Sequence, residues 1–291
     1  MFYEGMIYRP PSEANSLILQ ITVGCRHNTC TFCTMYKEKT FRVKSRAEIM
    51  EILDIAKART PNADRVFLAD GDAITVDTDL LIEILDKLYA NHPRLSKVGI
   101  YGGPQDILMK TPEELAALKK HGITMLYLGV ESGSAEILRA VGKGVTPEQM
   151  VAAGKKLRES GIALSCTIIV GLGGQERTQE HALETAKIIS AIDPEYLGAL
   201  TLMVAPSAPI AKQIHNGTFK LLDPMACLTE IRELVRHMKV TNCVFRSNHA
   251  SNYLPLRATL PRDQASLLTT LDNIIDNQTP TRLRPESWRG L

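Results

Sequence analysis

Short apolar β-rich runs alternate with amphipathic helical segments through the first two thirds of the chain, and this alternation most constrains the fold. Near-continuous apolar strands separated by helices are typical of a parallel sheet covered by helices. Six predicted strands cover residues 17–23, 65–69, 97–101, 124–130, 162–170 and 196–204. Six units are too few for a closed eight-stranded barrel, so the pattern predicts an α/β protein with either an open (β/α)6 barrel or a doubly wound sheet.

The rhythm changes after Pro206, where a helix, a strand and a final helix are predicted at 223–238, 239–245 and 261–276. We therefore expect a lead-in at 1–16, a core barrel at 17–206 and a small C-terminal α/β extension at 207–291 that covers the barrel. We expect the last residues, from Thr279 to Leu291, to form a loose tail.

The composition excludes several classes of protein. The 291 residues are 44% hydrophobic and 23% charged, which are ordinary globular values and argue against disorder. The net charge of +2 neither predicts nor excludes nucleic-acid binding. No apolar run approaches the roughly 20 residues that a membrane span needs, and residues 1–11 contain no apolar signal-peptide core. We therefore expect a cytoplasmic protein without a membrane partner.

Three cysteines, Cys25, Cys30 and Cys33, follow the first predicted strand with four and then two residues between them. Three thiolates on one loop can hold three irons of a cubane cluster and leave the fourth iron open. The alternative is a structural zinc site with His27 or a distant residue as fourth ligand, although only one Cys-x-x-Cys pair is present. Three other cysteines are scattered in apolar surroundings, where buried small hydrophobes are expected: Cys166, Cys227 and Cys243.

The cysteine loop, with the aromatic Phe32 before its last cysteine, resembles the signature of the radical S-adenosylmethionine (SAM) superfamily. That signature usually has three residues in the first gap, whereas this chain has four between Cys25 and Cys30. The resemblance implies a partial (β/α)6 radical-SAM-type barrel. It also implies two cofactors, a [4Fe–4S] cluster on Cys25, Cys30 and Cys33, and SAM.

Two later strand ends resemble SAM-contacting segments of the same superfamily. The second strand ends in Asp70-Gly71-Asp72, in the place of a Gly-Gly-Glu turn. The resemblance implies that the backbone of Gly71 binds the SAM amino group and that Asp72 takes the acidic position. The fourth strand ends in Gly129-Val130-Glu131-Ser132-Gly133, similar to the branch containing methylthiotransferases and the Elongator catalytic subunit. Here the resemblance implies that Glu131 binds the SAM ribose, with Ser132 beside it.

Two further groups complete the SAM site that the resemblance implies. Ile169 and Gly171, at the end of the fifth strand, match the region that contacts adenine. A phosphate-binding loop is disfavoured there, because Glu176 stands where the last glycine of a dinucleotide fingerprint would fall. Either Arg139 or Lys143 could pair with the SAM carboxylate, and Lys143 is preferred because it lies in a glycine turn.

The resemblance implies an enzyme in which an external donor, such as flavodoxin or ferredoxin, reduces the cluster. SAM is then cleaved to a 5′-deoxyadenosyl radical that abstracts hydrogen from a substrate. His249, in the polar run 246–253, is a candidate catalytic residue that would act as acid, base or hydrogen-bond donor. Two alternatives stay open, a zinc-stabilised α/β binding module without catalysis and an iron–sulfur electron carrier.

The substrate class is also an expectation from this resemblance. Methylthiotransferases carry an extra N-terminal cysteine-bearing domain and a C-terminal RNA-binding domain. Neither fits in the 16 residues before the first predicted strand or in the short tail. A small-molecule substrate is therefore expected rather than an RNA or a protein.

Overall fold

The computed structural model describes residues 3–277 and 283–290, and these form two compact units. The first unit holds the residues up to 28, 35–128 and 153–164. The second holds 29–34, 129–152 and the chain from 165 onward. The domain boundaries expected after residues 16 and 206 are not tested by this division and stay a prediction.

The first unit is built around a parallel sheet in the order β1, β4, β5, β6. The elements are, in chain order, β1 (Leu17–Gln20), β2 (Thr22–Val23), β3 (Arg42–Val43), α1 (Arg46–Arg59), β4 (Arg65–Ala69), α2 (Thr78–Asn91), β5 (Lys97–Tyr101), α3 (Pro104–Met109), α4 (Pro112–Lys120) and β6 (Met125–Glu131). The last three residues of β6 belong to the second unit.

Two helices of the first unit begin at capping boxes, which are local sequence patterns. Ser45 and Glu48 form the capping box of α1, and Thr111 and Glu114 form that of α4. The apolar strand residues are buried as expected, and one core cluster joins neighbouring strands: Phe67, Ala69, Met125 and Tyr127. The predicted strands of this unit are therefore confirmed within a few residues of their ends.

In the second unit β7, β8 and β9 run parallel, and β10 pairs with β9 in the antiparallel direction. The elements are α5 (Ala135–Ala140), α6 (Pro147–Glu159), β7 (Ala163–Val170), α7 (Thr178–Ile192), β8 (Tyr196–Thr201), α8 (Ala211–His215), α9 (Pro224–His237), β9 (Cys243–Ser247), β10 (Leu256–Leu260) and α10 (Gln264–Asp276). Both α6 and β7 include residues that belong to the first unit.

Two features of the C-terminal part correct the sequence analysis. Strand β10 was not predicted, although its residues alternate between buried and more exposed positions. The loose tail is wrong for residues 283–290, because Arg284 and Arg289 donate hydrogen bonds to backbone carbonyls of the loop at 249–252. The remainder of that predicted tail lies outside the described residues.

In the part of the chain that the structure describes, no helix is both long enough and apolar enough to span a bilayer.

Candidate functional site

In the first unit, the turn after β4 lies directly against the first cysteine of the loop. Gly71 donates its N–H to the carbonyl oxygen of Gly24 at 3.2 Å. A Cβ at position 71 would lie 2.6 Å from a ring carbon of Tyr36 and 3.1 Å from Cβ of Cys25. A side chain therefore does not fit at Gly71. The structure thus brings together Gly71 and Cys25, two residues that were predicted to share a site.

Asp70, which the sequence analysis did not select, fastens the segment that carries the cysteines. Its Oδ2 accepts hydrogen bonds from Nζ of Lys39 at 2.7 Å, the N–H of Gly24 at 3.1 Å and Nε2 of Gln20 at 3.0 Å. The side chain is fully buried, and Oδ1 has no hydrogen-bond partner among the described residues. A buried carboxylate requires such compensation. Asp70 therefore fixes residues 24 and 39, on either side of the three cysteines.

Asp72 is buried and faces the turn that precedes α3. Its Oδ1 accepts a hydrogen bond from the N–H of Gly103 at 2.8 Å. Burial raises the pKa of Asp72 above its ordinary value, and the hydrogen bond to Asp106 and the charge of that residue raise it further. Asp106 is in turn paired with Arg26, the neighbour of Cys25. A protonated Asp72 is thus a hydrogen-bond donor to a carboxylate whose charge Arg26 balances.

In the second unit, the backbone between Cys30 and Cys33 is hydrogen-bonded. The N–H of Thr31, between them, donates to the carbonyl oxygen of Val141 at 2.8 Å, and the carbonyl of Thr31 accepts from the N–H of Ile210 at 3.1 Å. Two separate segments of this unit therefore fix the backbone that carries the two cysteines.

Phe32, predicted as the aromatic residue of the cysteine signature, anchors the same loop through apolar contacts. The ring is partly buried against a core cluster of the second unit: Ile137, Val141, Leu172 and Leu202. Full burial of a phenylalanine ring stabilises a fold by about 1.5–3 kcal/mol, and the partial burial of Phe32 contributes part of this. Phe32 therefore holds the loop against the core while the thiols on either side stay partly exposed.

The six cysteines divide into two groups by exposure. The three on the loop are partly exposed, and the three distant ones are buried, as predicted. Burial raises the pKa of the Cys166 thiol well above its ordinary value and that of Cys227 to about 12. Buried neutral thiols are poor metal ligands and poor nucleophiles, so the loop alone offers thiols suited to bind a metal cluster.

The loop thiols match a [4Fe–4S] cluster by their kind, number and exposure. Three cysteine ligands leave one iron of such a cluster open. Within residues 3–277 and 283–290, no three or more His, Cys, Asp or Glu side chains are gathered closely enough to hold a metal ion. The fit therefore rests on the donor set and on the fixed backbone of the loop.

Glu131, predicted to bind the SAM ribose, occupies a strained turn. Its φ of 65° lies in the left-handed region, and the N–H of Ser132 donates to the carbonyl of Val130 at 2.8 Å across it. This is a γ-turn with positive φ at its centre, which is rare and strained. Such a backbone costs about 1–3 kcal/mol and persists only where surrounding contacts impose it. Sites of this kind are often functional.

The Glu131 carboxylate is paired with Lys143. Nζ of Lys143 lies 2.9 Å from Oε1 of Glu131, and each side chain is 12% exposed. A Cβ at position 129 would lie 2.2 Å from that Oε1 and 3.1 Å from Nζ. Gly129 therefore makes room for the ion pair, which gives a physical reason for the Gly-x-Glu spacing. Arg139, the other candidate for the SAM carboxylate, instead pairs with Glu136 on an exposed face.

The residues after Glu131 are tied to α7. The hydroxyl of the fully buried Ser132 accepts a hydrogen bond from the N–H of Ser134 at 3.1 Å. The N–H of Gly133 donates to Oγ1 of Thr185 at 2.9 Å, and a Cβ on Gly133 would lie 2.1 Å from the carbonyl oxygen of Glu184. The loop thus touches the backbone of α7, and Ser132 contributes by shaping this turn.

The end of β7 carries Ile169 and Gly171, the residues predicted to contact adenine. Ile169 packs against the cluster that also contacts Phe32. Gly171 has a φ of 83°, and its N–H donates to Oε1 of Glu230 at 2.7 Å. Glu230 is a residue that the sequence analysis missed, because no local pattern links a glutamate on α9 to the end of β7.

His249 is half-buried in a hydrogen-bonded loop. Its Nδ1 lies 2.9 Å from Oγ of Ser251, and burial, followed by the charge of Arg284, lowers its pKa. Arg284 donates to the carbonyl oxygens of Ala250 and Asn252 at 2.7 and 3.0 Å. The loop is therefore fixed by the segment that was expected to be loose. The role of His249 as a catalytic residue stays a prediction.

A sequence model of the radical SAM superfamily matches residues 19–186, which is more than half of the chain. The chain therefore belongs to the radical SAM superfamily. This family consists of enzymes that use a [4Fe–4S] cluster and SAM, so the enzyme class and both predicted cofactors are confirmed.

The curated relatives are distant. The chain is 24% identical over 186 residues to the heme chaperone HemW of Bacillus subtilis, covering 62% of this chain and 47% of that protein. It is 27% identical over 182 residues to a tRNA-2-methylthio-N(6)-dimethylallyladenosine synthase of Fusobacterium nucleatum, covering 60% of this chain and 40% of that enzyme. The chain thus spans less than half the length of these two relatives.

Solved structures confirm the predicted fold class. Methylornithine synthase is similar with a TM-score of 0.55 at 16% identity, covering 88% of this chain and 68% of that one. Coproporphyrinogen III oxidase from Escherichia coli, a radical SAM enzyme, is similar with a TM-score of 0.57 at 19% identity, covering 76% and 51%. The α/β fold with a mostly parallel sheet is therefore the partial barrel type that was predicted.

Proposed function

We propose that this chain catalyses the reductive cleavage of SAM and uses the product radical to abstract hydrogen from a small-molecule substrate. Cys25, Cys30 and Cys33 would hold the cluster, which when bound would supply the one electron needed to cleave SAM to methionine and a 5′-deoxyadenosyl radical. An external one-electron donor of the flavodoxin or ferredoxin type re-reduces the cluster. The observation that carries the proposal is the contact of Gly71 with Cys25 in the first unit.

That contact supports the proposal because it joins a cluster ligand to a backbone that could bind SAM. The other ligands are Cys30 and Cys33, on a loop that Phe32 holds to the core. The carbonyl oxygen of Gly71 would accept hydrogen bonds from the amino group of SAM, because the N–H of Gly71 is already bonded to Gly24. Asp72 would keep this turn in place through its hydrogen bond with Gly103.

The second unit would bind the nucleoside part of SAM. Glu131 is an acceptor for the two ribose hydroxyls, with Ser132 shaping its turn, and Ile169 and Gly171 face adenine. Lys143 balances the charge of Glu131, and the resemblance to the family assigns it to the SAM carboxylate as well. These roles follow the resemblance to the family, and the contacts of each residue are compatible with them.

The central experiment is SAM cleavage by protein purified without oxygen. The protein is reconstituted with iron and sulfide and reduced with dithionite, and 5′-deoxyadenosine is measured after SAM is added. We expect a brown protein that forms 5′-deoxyadenosine. We expect Cys30→Ala to abolish this product, while the control Cys227→Ala, at a buried thiol on α9, retains it. A colourless protein that contains zinc and does not cleave SAM would establish the binding module instead.

A small molecule is proposed as substrate, and His249 as the residue that acts on it. His249 lies beside a buried polar group formed by the end of β8 and the loop that follows β9: Thr201, Ser251 and Asn252. Polar side chains at the carboxyl ends of parallel strands are typical of ligand sites in α/β proteins. The lowered pKa favours the neutral ring of His249, which can accept a proton or donate a hydrogen bond.

This substrate proposal can be tested before the substrate is known. The small-molecule fraction and the total RNA of a cell extract are added separately, and the increase in 5′-deoxyadenosine is measured. We expect the small-molecule fraction to stimulate the wild type. We expect no stimulation of His249→Ala, whose basal SAM cleavage persists, while His237→Ala, at an exposed position on α9, responds normally. Stimulation by RNA alone would contradict the proposal of a small-molecule substrate. A normal response of His249→Ala would contradict the role of His249.

A further inference from the structure

A buried carboxylate and imidazole join two backbone positions to which the proposed function assigns SAM contacts. Glu230 on α9 and His181 on α7 are 3% and 2% exposed. Oε1 of Glu230 accepts a hydrogen bond from the N–H of Gly171 at 2.7 Å and lies 3.2 Å from Nδ1 of His181. Its Oε2 accepts from Oγ1 of Thr178 at 2.5 Å. Glu230 thereby fixes the residue that follows β7.

The second ring nitrogen of His181 reaches the other position. Nε2 lies 3.3 Å from the carbonyl oxygen of Glu131. Since a carbonyl oxygen only accepts hydrogen bonds, Nε2 is the donor. The contact falls on the residue whose φ of 65° requires outside support. His181 therefore supports the backbone of Glu131, while Lys143 balances its carboxylate.

We propose that His181 and Glu230 are positioning residues for SAM, which set the backbone at Glu131 and Gly171 so that both ends of the nucleoside are bound. This inference rests on the proposed function. In this proposal neither residue contacts SAM, because His181 acts through Glu131 and Glu230 acts through Gly171. Glu230 belongs to residues 207–291, so in this proposal that part of the chain completes the SAM site.

Two substitutions at one position separate the two contacts of the ring. In His181→Asn the amide nitrogen stands near the place of Nδ1, so the contact with Glu230 can persist while the contact with Glu131 is lost. In His181→Gln the amide nitrogen stands near the place of Nε2, so the contact with Glu131 can persist while that with Glu230 is lost. The pair therefore distinguishes positioning of Glu131 from general stabilisation of the core.

The measurements are the dissociation constant for SAM on the reconstituted protein and the midpoint of thermal unfolding. We expect His181→Asn to weaken SAM binding about 10-fold with a small change in the midpoint. We expect His181→Gln to stay within about 3-fold of the wild type in SAM binding although its midpoint falls further. The two readouts thus rank the variants in opposite orders. If SAM binding follows the midpoint in both variants, or is unchanged in both, the inference is overturned.

A double-mutant cycle tests whether His181 acts through Glu131. Glu131→Gln alone is expected to weaken SAM binding about 10-fold, and the double variant with His181→Asn about 10- to 20-fold rather than about 100-fold. A full 100-fold loss would show independent effects and overturn the inference. Should the Asn variant fail to fold, the Gln variant alone still decides, because a purely structural role predicts weakened binding there.

The wild type separates this inference from the proposed function. If the reconstituted wild type does not bind SAM, the proposed function fails and the inference fails with it. If the wild type binds SAM and both His181 variants bind it equally well, the inference alone is overturned.

Discussion

The loops after β4 and β6 each bury an acidic residue at the end of a parallel strand, but they compensate it differently. Asp72 in the first unit faces a second carboxylate, Asp106, and its pKa is raised by burial and by that neighbour. Glu131 in the second unit faces a lysine, Lys143. The first arrangement favours a neutral carboxyl group on Asp72, which stabilises the loop. The second pairs the carboxylate with a cation, as suits the binding role that is proposed for Glu131.

The difference teaches that an acidic residue at a strand end does not by itself identify a ligand contact. The charge of the neighbouring side chain decides whether the acidic residue stabilises the loop or is available to bind a ligand. In the first unit, Lys39 pairs with Asp70 and not with Asp72. Two acidic residues with different partners, Asp70 and Asp72, therefore stabilise the first loop.

The largest expected effect is on the frame of the first loop. Lys39→Met leaves the Asp70 carboxylate buried without its cation, and breaking a buried ion pair costs about 3–5 kcal/mol. We expect the free energy of unfolding, measured with urea, to fall by that amount. Lys57→Met, at an exposed position of α1, serves as the control and is expected to change it by less than about 0.5 kcal/mol. A loss below about 1 kcal/mol at Lys39 would mean that Asp70 is compensated otherwise.

The next effect is on the frame of the second loop. In Gly133→Ala the new Cβ would lie 2.1 Å from the carbonyl oxygen of Glu184, so the loop or α7 must move. Overpacking of this kind costs about 1–3 kcal/mol. The matched change Gly198→Ala, on β8 of the same unit, has no neighbour nearer than 3.9 Å and is expected to be tolerated. Equal stabilities of the two variants would show that the loop does not depend on contact with α7.

A smaller effect sharpens the contrast between Asp72 and Glu131. The native state holds a proton on Asp72 that the unfolded chain releases at the ordinary carboxyl pKa of about 4. The contribution of Asp72 to stability is therefore fully present below about pH 4. It is lost as the pH rises through the raised pKa of the native state. We expect Asp72→Asn, which keeps a donor for Asp106, to change stability by about 1 kcal/mol or less at pH 5. As the pH rises, the stability of this variant should also fall less than that of the wild type.

Urea unfolding between pH 5 and 9 provides the measurement. A slope that is identical in the wild type and in Asp72→Asn would mean that Asp72 is ionised in the native protein, and the contrast between the two loops would disappear.

The last prediction concerns the two basic residues that follow Glu131 in the sequence. Arg139 makes an exposed pair with Glu136, so Arg139→Ala should change stability by about 0.5 kcal/mol or less and leave SAM binding intact. Lys143→Met removes the partner of a largely buried carboxylate and should weaken SAM binding by about 10-fold. Equilibrium dialysis with SAM compares the two variants. Weaker binding by the Arg139 variant than by the Lys143 variant would reverse the preference for Lys143.

The local part of this structure could be predicted from the sequence. Apolar runs predict the strands, the capping boxes fix where α1 and α4 begin, and glycines mark the turns at Gly71 and Gly171, since all of these depend on residues a few positions apart. The partners that support the turns could not be predicted. His181 meets a carbonyl 50 residues earlier, and Glu230 meets Gly171 59 residues earlier. No periodicity encodes such contacts.

The errors at the C-terminal part have the same origin. Arg284 and Arg289 look like ordinary charges of a polar tail in the sequence, because their partners are backbone carbonyls that any sequence provides. Strand β10 follows a run rich in Ser and Asn, and its five alternating residues are too few to predict a strand without the pairing with β9.

The most direct test of the central claim is Mössbauer and electron paramagnetic resonance spectroscopy of the protein purified without oxygen. The account predicts one cluster of about four irons and four sulfides per chain, whose spectrum changes when SAM binds to the open iron. Cys25→Ala, Cys30→Ala and Cys33→Ala should each lose this cluster. A chain that binds zinc, or a cluster whose spectrum is unaffected by SAM, would contradict the account.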